Sequence, residues 1–147
     1  MKTPLERKMS TETNKKLIEK VFNEAMNERN FDILDQIVAP GYVNHGIPNS
    51  KTGADGLKEI LKQFLDAFPD MKITIEHVIG EDNMVTTSGY WNGTNKGSFM
   101  GAPASGKEVK IAYIDLWKIE DGKCAENWLQ MDMRGLMMQT GAMPMPA

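Results

Sequence analysis

The chain changes its hydrophobic period once, at Phe68-Pro69, and that switch constrains the fold more than any other feature. Before it, apolar residues recur at helical spacing. Leu17, Ile18, Val21, Phe22, Ala25 and Met26 predict an amphipathic first helix. Asn30 is placed to cap a second, shorter helix that carries Ile33, Leu34, Ile37 and Val38 and ends at Pro40. Tyr42 to His45 reads as a short extended piece, and Pro48 to Gly56 as a loop rich in turn residues. Leu57, Ile60, Leu61, Phe64, Leu65 and Phe68 form one stripe of a third helix, which Pro69 stops. After it the period is two: Ile73, Ile75, His77 and Ile79 alternate with Lys72, Thr74 and Glu76. Gly80 to Asn83 turns the chain into a strand from Met84 to Trp91, and a glycine-containing loop leads into a hairpin from Ile111 to Asp132. Arg134 to Gln139 predicts a last short helix. Helices first and antiparallel strands after define an α+β class. The expected architecture is a curved antiparallel sheet wrapped around the long third helix, a cone with one open end. Residues 1–12 read as a polar, disordered tail, 13–141 as the single domain, and 142–147 as a C-terminal tail.

The hairpin mixes large apolar side chains with groups that hold or move a proton. Asp115, Glu126 and Asp132 are its acids, and Tyr113, Asn127 and Gln130 its neutral hydrogen-bonders. Such a mixture predicts the wall of a pocket rather than a plain core sheet. Turn geometry decides which acids share a face. A two-residue loop at Asp121-Gly122 sets Asp115 opposite Trp128. A Glu120-Asp-Gly122 loop with a glycine bulge sets Asp115 opposite Asn127 and Tyr113 opposite Leu129. The second places Tyr113, Asp115, Trp117, Asn127 and Leu129 on one face, with Glu126 and Trp128 on the other.

Composition removes several function classes. With 147 residues, 25% charged and 41% hydrophobic, the chain is an ordinary single domain, and a net charge of −3 argues against nucleic acid as the main partner. No apolar run approaches the ~20 residues that span a bilayer. No secretory signal is read at the N-terminus, and the one cysteine, Cys124, fits a reducing compartment, so the expected location is cytoplasmic. Gly101 to Glu108 nearly matches a phosphate-binding loop, but Glu108 stands where Ser or Thr must reach Mg²⁺, and a strand follows instead of a helix. His45 and His77 lie far apart and in no close-spaced ligand pair, so no metal site is expected. No Gly-x-Ser-x-Gly elbow exists. The methionines clustered at the end, Met131, Met133, Met137, Met138, Met143 and Met145, read as adaptable packing.

Tyr42-Val-Asn-His45, Phe68-Pro69-Asp70, Phe99-Met100-Gly101-Ala-Pro103, Gly106-Lys107, Asp121-Gly122-Lys123, Glu126-Asn-Trp128, Asp132-x-x-Gly135-Leu136 and Gln139-Thr-Gly141 come in a telling order. The ordered set resembles the SnoaL-like polyketide cyclases, also called predicted ester cyclases, of the nuclear transport factor 2-like superfamily. The resemblance runs from about Asn14 to Gly141. It implies an α+β cone, a homodimer through the outer sheet face, a deep apolar pocket for a hydrophobic small molecule, and no metal or organic cofactor. The family's cyclases close a ring of a polyketide ester by intramolecular aldol condensation. The resemblance places Asn44 at a polar pocket position, and Tyr113 and Asp115 on a strand that supplies two further polar groups. It also places the family's catalytic aspartate just after Trp128, where this chain has Leu129.

The candidate site follows. Asp115 is a strand-centre carboxylate, costly to bury without a purpose, and is the expected acid/base group. His45 is either a base near the pocket mouth or a histidine bonded to loop backbone. Asp132 is either at the rim or, by the preferred reading, the cap of the last helix. Asn44, Tyr113, Asn127, Trp117, Leu129, Trp91, Phe64 and Met100 are the expected substrate-binding residues. Two functions remain: a cofactor-free enzyme acting on a hydrophobic carbonyl compound, or a binding cone that lost its chemistry at Leu129. A related isomerase- or epoxide-hydrolase-like enzyme is a third reading; the latter wants an Asp-Arg-Asp set, for which only Arg134 is near the strands.

Overall fold

Helices and one five-stranded sheet make up the computed structural model, which describes residues 1–48, 50–144 and 146. Asn49 of the expected loop and Met145 and Ala147 of the expected C-terminal tail lie outside the described residues. The first helix, α1 (Pro4–Lys20), starts well before the apolar pattern does. Thr3 and Glu6 form a reciprocal capping box with Pro4 at the first helical position, so polar residues expected to be a tail are helical from Pro4 onward. The helix continues through a wider turn, Val21–Asn27, in which the Glu28 N–H reaches back five residues to the Asn23 carbonyl at 3.0 Å.

The expected second helix is mostly replaced. A tight turn at Phe31–Ile33 leads into one turn of helix, α2 (Leu34–Ile37), and Asn30 makes no side-chain cap. Val38 and Pro40 belong instead to β1 (Val38–Asn44). Pro40 drives the residue before it toward extended backbone, and β1 lies at the sheet edge, where a missing N–H is tolerated. The third helix, α3 (Gly53–Ala67), ends at Phe68 before Pro69, as the stripe predicts.

Strands β2 (Lys72–Glu81), β3 (Met84–Thr94), β4 (Glu108–Glu120) and β5 (Lys123–Met131) follow, then α4 (Met133–Thr140). The sheet order is β1-β5-β4-β3-β2; every pair is antiparallel except β1 with β5. A bulge in β2 between Ile75 and His77 reverses the alternation, so Ile79 turns outward and is 62% exposed while Val78 is half-buried.

The β4–β5 turn follows neither expected register. Asp121 and Gly122 both have positive φ, 51° and 74°, which is a two-residue turn of the kind that suits a right-twisted hairpin. One residue later β5 bulges: Ile119 pairs with Cys124 but Lys118 with Glu126. Beyond the bulge Asp115 pairs with Leu129, Tyr113 with Met131 and Trp117 with Asn127. The partners are therefore two positions from those that the glycine-bulge loop sets. A shift of two preserves the side-chain alternation, so the expected grouping of faces holds.

The concave side carries two apolar clusters. One joins Ile18, Val21 and Phe22 of the first helix with Leu57 and Leu61 of α3 and Tyr113 and Trp117 of β4. The other joins Phe68, Met71, Trp91, Val109, Ile111 and Leu136. Both the first helix and α3 thus fill the curved sheet.

Candidate active site

A cavity remains between the two clusters, lined by residues of both. It is narrow: about 70 Å³ of it is open to the centre of a water-sized sphere. Strand alternation turns Trp91 of β3, Tyr113, Asp115 and Trp117 of β4, and Asn127, Leu129 and Met131 of β5 onto it. The wider helical turn contributes Phe22 and Met26, and α3 contributes Leu57, Ile60, Leu61 and Phe64. Asp115 is the one charged side chain among the described residues lining it.

Asp115 is 3% exposed. Oδ1 accepts two hydrogen bonds from Thr87, one from the hydroxyl at 2.6 Å and one from the backbone N–H at 3.3 Å. Burial pushes its carboxyl up to about 6, because a charge is poorly solvated there. The Thr87 hydroxyl, the neighbouring Trp117 indole and the Thr87 amide pull the other way, although the indole geometry falls short of a hydrogen bond. Tyr113 is pushed up to about 12, chiefly by burial. The indole N–H groups of Trp91 and Trp117 are both buried without a partner. A buried donor left unpaired is costly.

Asn44 and Asn127 also reach the cavity. The Asn44 side-chain oxygen accepts from the Gly46 N–H at 2.9 Å, and the Asn127 amide donates to the Leu116 carbonyl at 3.1 Å. Gly46 is needed here: a Cβ on it would lie 2.1 Å from the Leu129 carbonyl oxygen. That close crossing ties the end of β1 to β5, with the His45 N–H donating to the Asn127 carbonyl at 2.7 Å.

Three expected site residues do not line the cavity. Alternation that turns Asn44 inward turns His45 outward, where its ring stacks on Trp128 at 4.8 Å and its Nε2 lies 3.0 Å from Glu126. Lys118 stands 3.6 Å from the same carboxylate. Asp132 accepts from the Gly135 N–H at 2.8 Å and caps α4. Met100 sits at the tip of a loop, 67% exposed with φ 48°; its neighbour Phe99 packs on Phe64 and Phe68 instead. Arg134 is exposed at the start of α4 and is absent from the lining, so no Asp-Arg-Asp set forms there.

Sequence reasoning missed Thr87, which holds both Asp115 and the neighbourhood of Tyr113. Its signal was a polar Thr86-Thr87-Ser88 run inside a strand, but the pairing of Thr87 with Asp115 spans the long loop between β3 and β4. Among the described residues no three His, Cys, Asp or Glu side chains come together as metal ligands, and no helix is long and apolar enough to cross a membrane.

The fold has many solved relatives. TsrD from Streptomyces laurentii is 28% identical, with 90% of this chain and 97% of that one covered at a TM-score of 0.82. A proposed SnoaL-like polyketide cyclase from Jannaschia sp. CCS1 is 21% identical over 98% and 99% of the two chains, with a TM-score of 0.80. AclR from Streptomyces galilaeus, a proposed hydroxylase, is 24% identical over 93% and 86%, with a TM-score of 0.81. No curated protein sequence matches the chain. The family model for the SnoaL-like polyketide cyclases matches residues 16–140. With that match over nearly the whole cone, and the cone itself built as in these relatives, the chain belongs to the SnoaL-like polyketide cyclase family.

Proposed function

We propose that the protein is a cofactor-free enzyme that acts on a hydrophobic carbonyl compound by acid/base chemistry, of the ring-closing or proton-transfer kind. One observation carries this reading. Leu129, which stands where the resemblance puts the family's catalytic aspartate, is the cross-strand partner of Asp115. Side chains so paired stand within about 5.5 Å at their Cβ atoms. Asp115 therefore brings a carboxylate to nearly the same part of the cavity from the adjacent strand.

In this reading the ionised Asp115 removes an acidic proton next to a carbonyl, and the electron pair moves to the carbonyl oxygen as an enolate. The indole N–H groups of Trp117 and Trp91 are the available donors for that oxygen. In ring closure the enolate carbon attacks a second carbonyl of the same molecule, and the new alkoxide takes its proton back from Asp115. The apolar walls fold the substrate into reach of itself. A homodimer through the outer sheet face belongs to the same reading; Ile79, Ile114 and Leu116 are exposed there. A cytoplasmic location does too, supported by a single free cysteine.

The test is turnover of a model β-keto ester or 1,3-diketone by the wild type, Asp115→Asn and His45→Ala. Loss of turnover in Asp115→Asn with His45→Ala unchanged is expected. A second reading, a binding cone without chemistry, has Leu129 in its favour. It wins if the wild type turns over no faster than buffer while an apolar probe binds tightly.

A further inference from the structure

Two side chains at the end of the first helix hold a stretch of cavity wall that three separate elements supply. Met26 lies on the wider helical turn, Met71 just after the turn that follows α3, and Ile73 on β2. All three line the cavity. Met26 belongs to the first apolar cluster and Met71 to the second, and Ile73 packs against both. The two clusters that flank the cavity are therefore joined here. The joint is not a strand pairing, because β2 is an edge strand whose ladder partner is β3.

Asn27 takes the place of a strand neighbour. Its Nδ2 donates to the Ile73 carbonyl at 2.9 Å, and its Oδ1 accepts from the Ile73 N–H at 2.8 Å. Arg29 makes the other ties. Its Nη1 donates to the Met26 carbonyl, and to the Asn27 carbonyl at 3.4 Å. Its Nη2 donates to the Met71 carbonyl at 2.6 Å and to the Pro69 carbonyl at 3.2 Å. All four acceptors are backbone carbonyls, so one planar fork ties the backbone of Met26 to that of Met71. The Phe68-Pro69-Asp70 motif enters at this point. The Met71 N–H closes its turn on the Phe68 carbonyl at 3.0 Å. The Asp70 carboxylate accepts from the Thr94 N–H at 2.6 Å and the Thr94 hydroxyl at 2.7 Å. Met71 is thus held from the helix by Arg29 and from β3 by its neighbour Asp70.

Arg29 itself has φ 64°, a left-handed backbone that residues with a side chain rarely adopt. Glycine would hold that conformation without strain, but it could make none of the four bonds. The strain is offset by a side chain whose bonds end on the two methionines of the wall. Methionine is unbranched and adaptable, so Met26 and Met71 keep the cavity narrow only while their backbones stay together. We propose that Arg29 is a positioning residue that fixes the separation of these two methionines and so limits the length of the hydrocarbon group the cavity admits. Asn27 acts in the same sense on Ile73. The inference rests on the reading of the cavity as a substrate site and adds what bounds the substrate.

The experiment is binding of straight-chain 1-alkanols, from propanol to octanol, followed by calorimetry. Their hydroxyl keeps them in solution, and the chain is the probe. In the wild type each added CH₂ is expected to tighten binding by up to about fourfold, the value of one buried CH₂. The gain stops at a chain length within the series. Arg29→Met keeps an unbranched side chain and removes the fork. It is expected to move that limit at least one carbon further, so that the first alcohol past the wild-type limit gains about fourfold. Asn27→Ala is expected to move the limit in the same direction, and it carries the test alone if Arg29→Met does not fold. Asp132→Ala weakens the cap of α4 and none of these bonds. It is expected to lower stability and keep the wild-type limit. A limit unmoved in the folded Arg29 and Asn27 variants overturns the assignment. An equal shift in Asp132→Ala also overturns it, as the sign of general loosening, and so does a wild type without a limit in the series. Binding of no alcohol by the wild type overturns the reading of the cavity itself, which is a different result from binding with an unmoved limit.

Discussion

The two faces of the β4–β5 hairpin carry similar residues and opposite physics. On the inner face Asp115 stands in a nearly dry cavity with its carboxyl pushed up to about 6 by burial. On the outer face Glu126 lies beside His45 and Lys118, and its carboxyl is held below the usual carboxylate range, first by the His45 hydrogen bond. The two acids are only eleven positions apart on paired strands. Their difference comes from which side of the pleat each occupies. An acid on the wet side is steadied by a histidine hydrogen bond and a lysine and does no chemistry that the geometry shows. An acid on the dry side is poised to exchange a proton near neutral pH.

The largest expected effect separates the faces by rate. Asp115→Asn is expected to lower turnover of a model 1,3-diketone by about 10²- to 10⁴-fold, the usual contribution of a general base, while Glu126→Gln leaves it unchanged. Equal losses in steady-state assays of the two variants break the comparison.

The next effect is on stability. The folded Asp115 carboxyl keeps its proton up to about pH 6, whereas the unfolded one releases it in the ordinary carboxylate range. Between those values the folded state binds more protons, so stability falls as pH rises through the window and levels off above it. A shift of this size amounts to about 3 kcal/mol. Denaturant titrations across the window should show this slope in the wild type and lose it in Asp115→Asn, which is then the more stable protein at neutral pH. Activity and stability should therefore run in opposite directions over the same pH range. A wild-type slope retained in the Asn variant assigns the burial penalty elsewhere.

The third acid of the hairpin faces neither side. Asp132 caps α4 through the Gly135 N–H, and Asp132→Ala is expected to cost about 1 kcal/mol by thermal or denaturant unfolding, with turnover per folded molecule preserved. The smallest effect belongs to His45. Its contact with Glu126 is partly exposed and open to salt, so His45→Ala should unfold at nearly the wild-type temperature and keep its activity. A large loss in either measurement returns His45 to the site.

Much of the fold was legible because its signals are local. The α3 stripe, its stop at Pro69 and the strand periods that follow are each properties of a dozen consecutive residues. The short second helix was not, because Val38, Val43 and Asn44 pair along the edge of β5, a strand more than eighty positions away. The start of α1 was misread for another reason: a capping box is made of polar residues, and polarity alone looks like a tail. In the site, Asn44, Trp91, Tyr113, Asp115, Trp117, Asn127 and Leu129 all reach the cavity, since alternation along a strand needs no knowledge of the partner, and Phe64 reaches it from the α3 stripe. His45 fell to the same rule, one residue out of phase with Asn44.

The sequence by itself determined the α+β order, the strand alternation and hence which hairpin residues share a face, because a period of two is written in neighbouring residues. Only the tertiary structure decided who stands opposite whom. The bulge between Lys118 and Ile119 slid Asp115 onto Leu129, and the pairing of β3 with β4 brought Thr87 to Asp115 across a long loop. Cross-strand register depends on long-range packing and turn geometry together, and at this site register places the carboxylate.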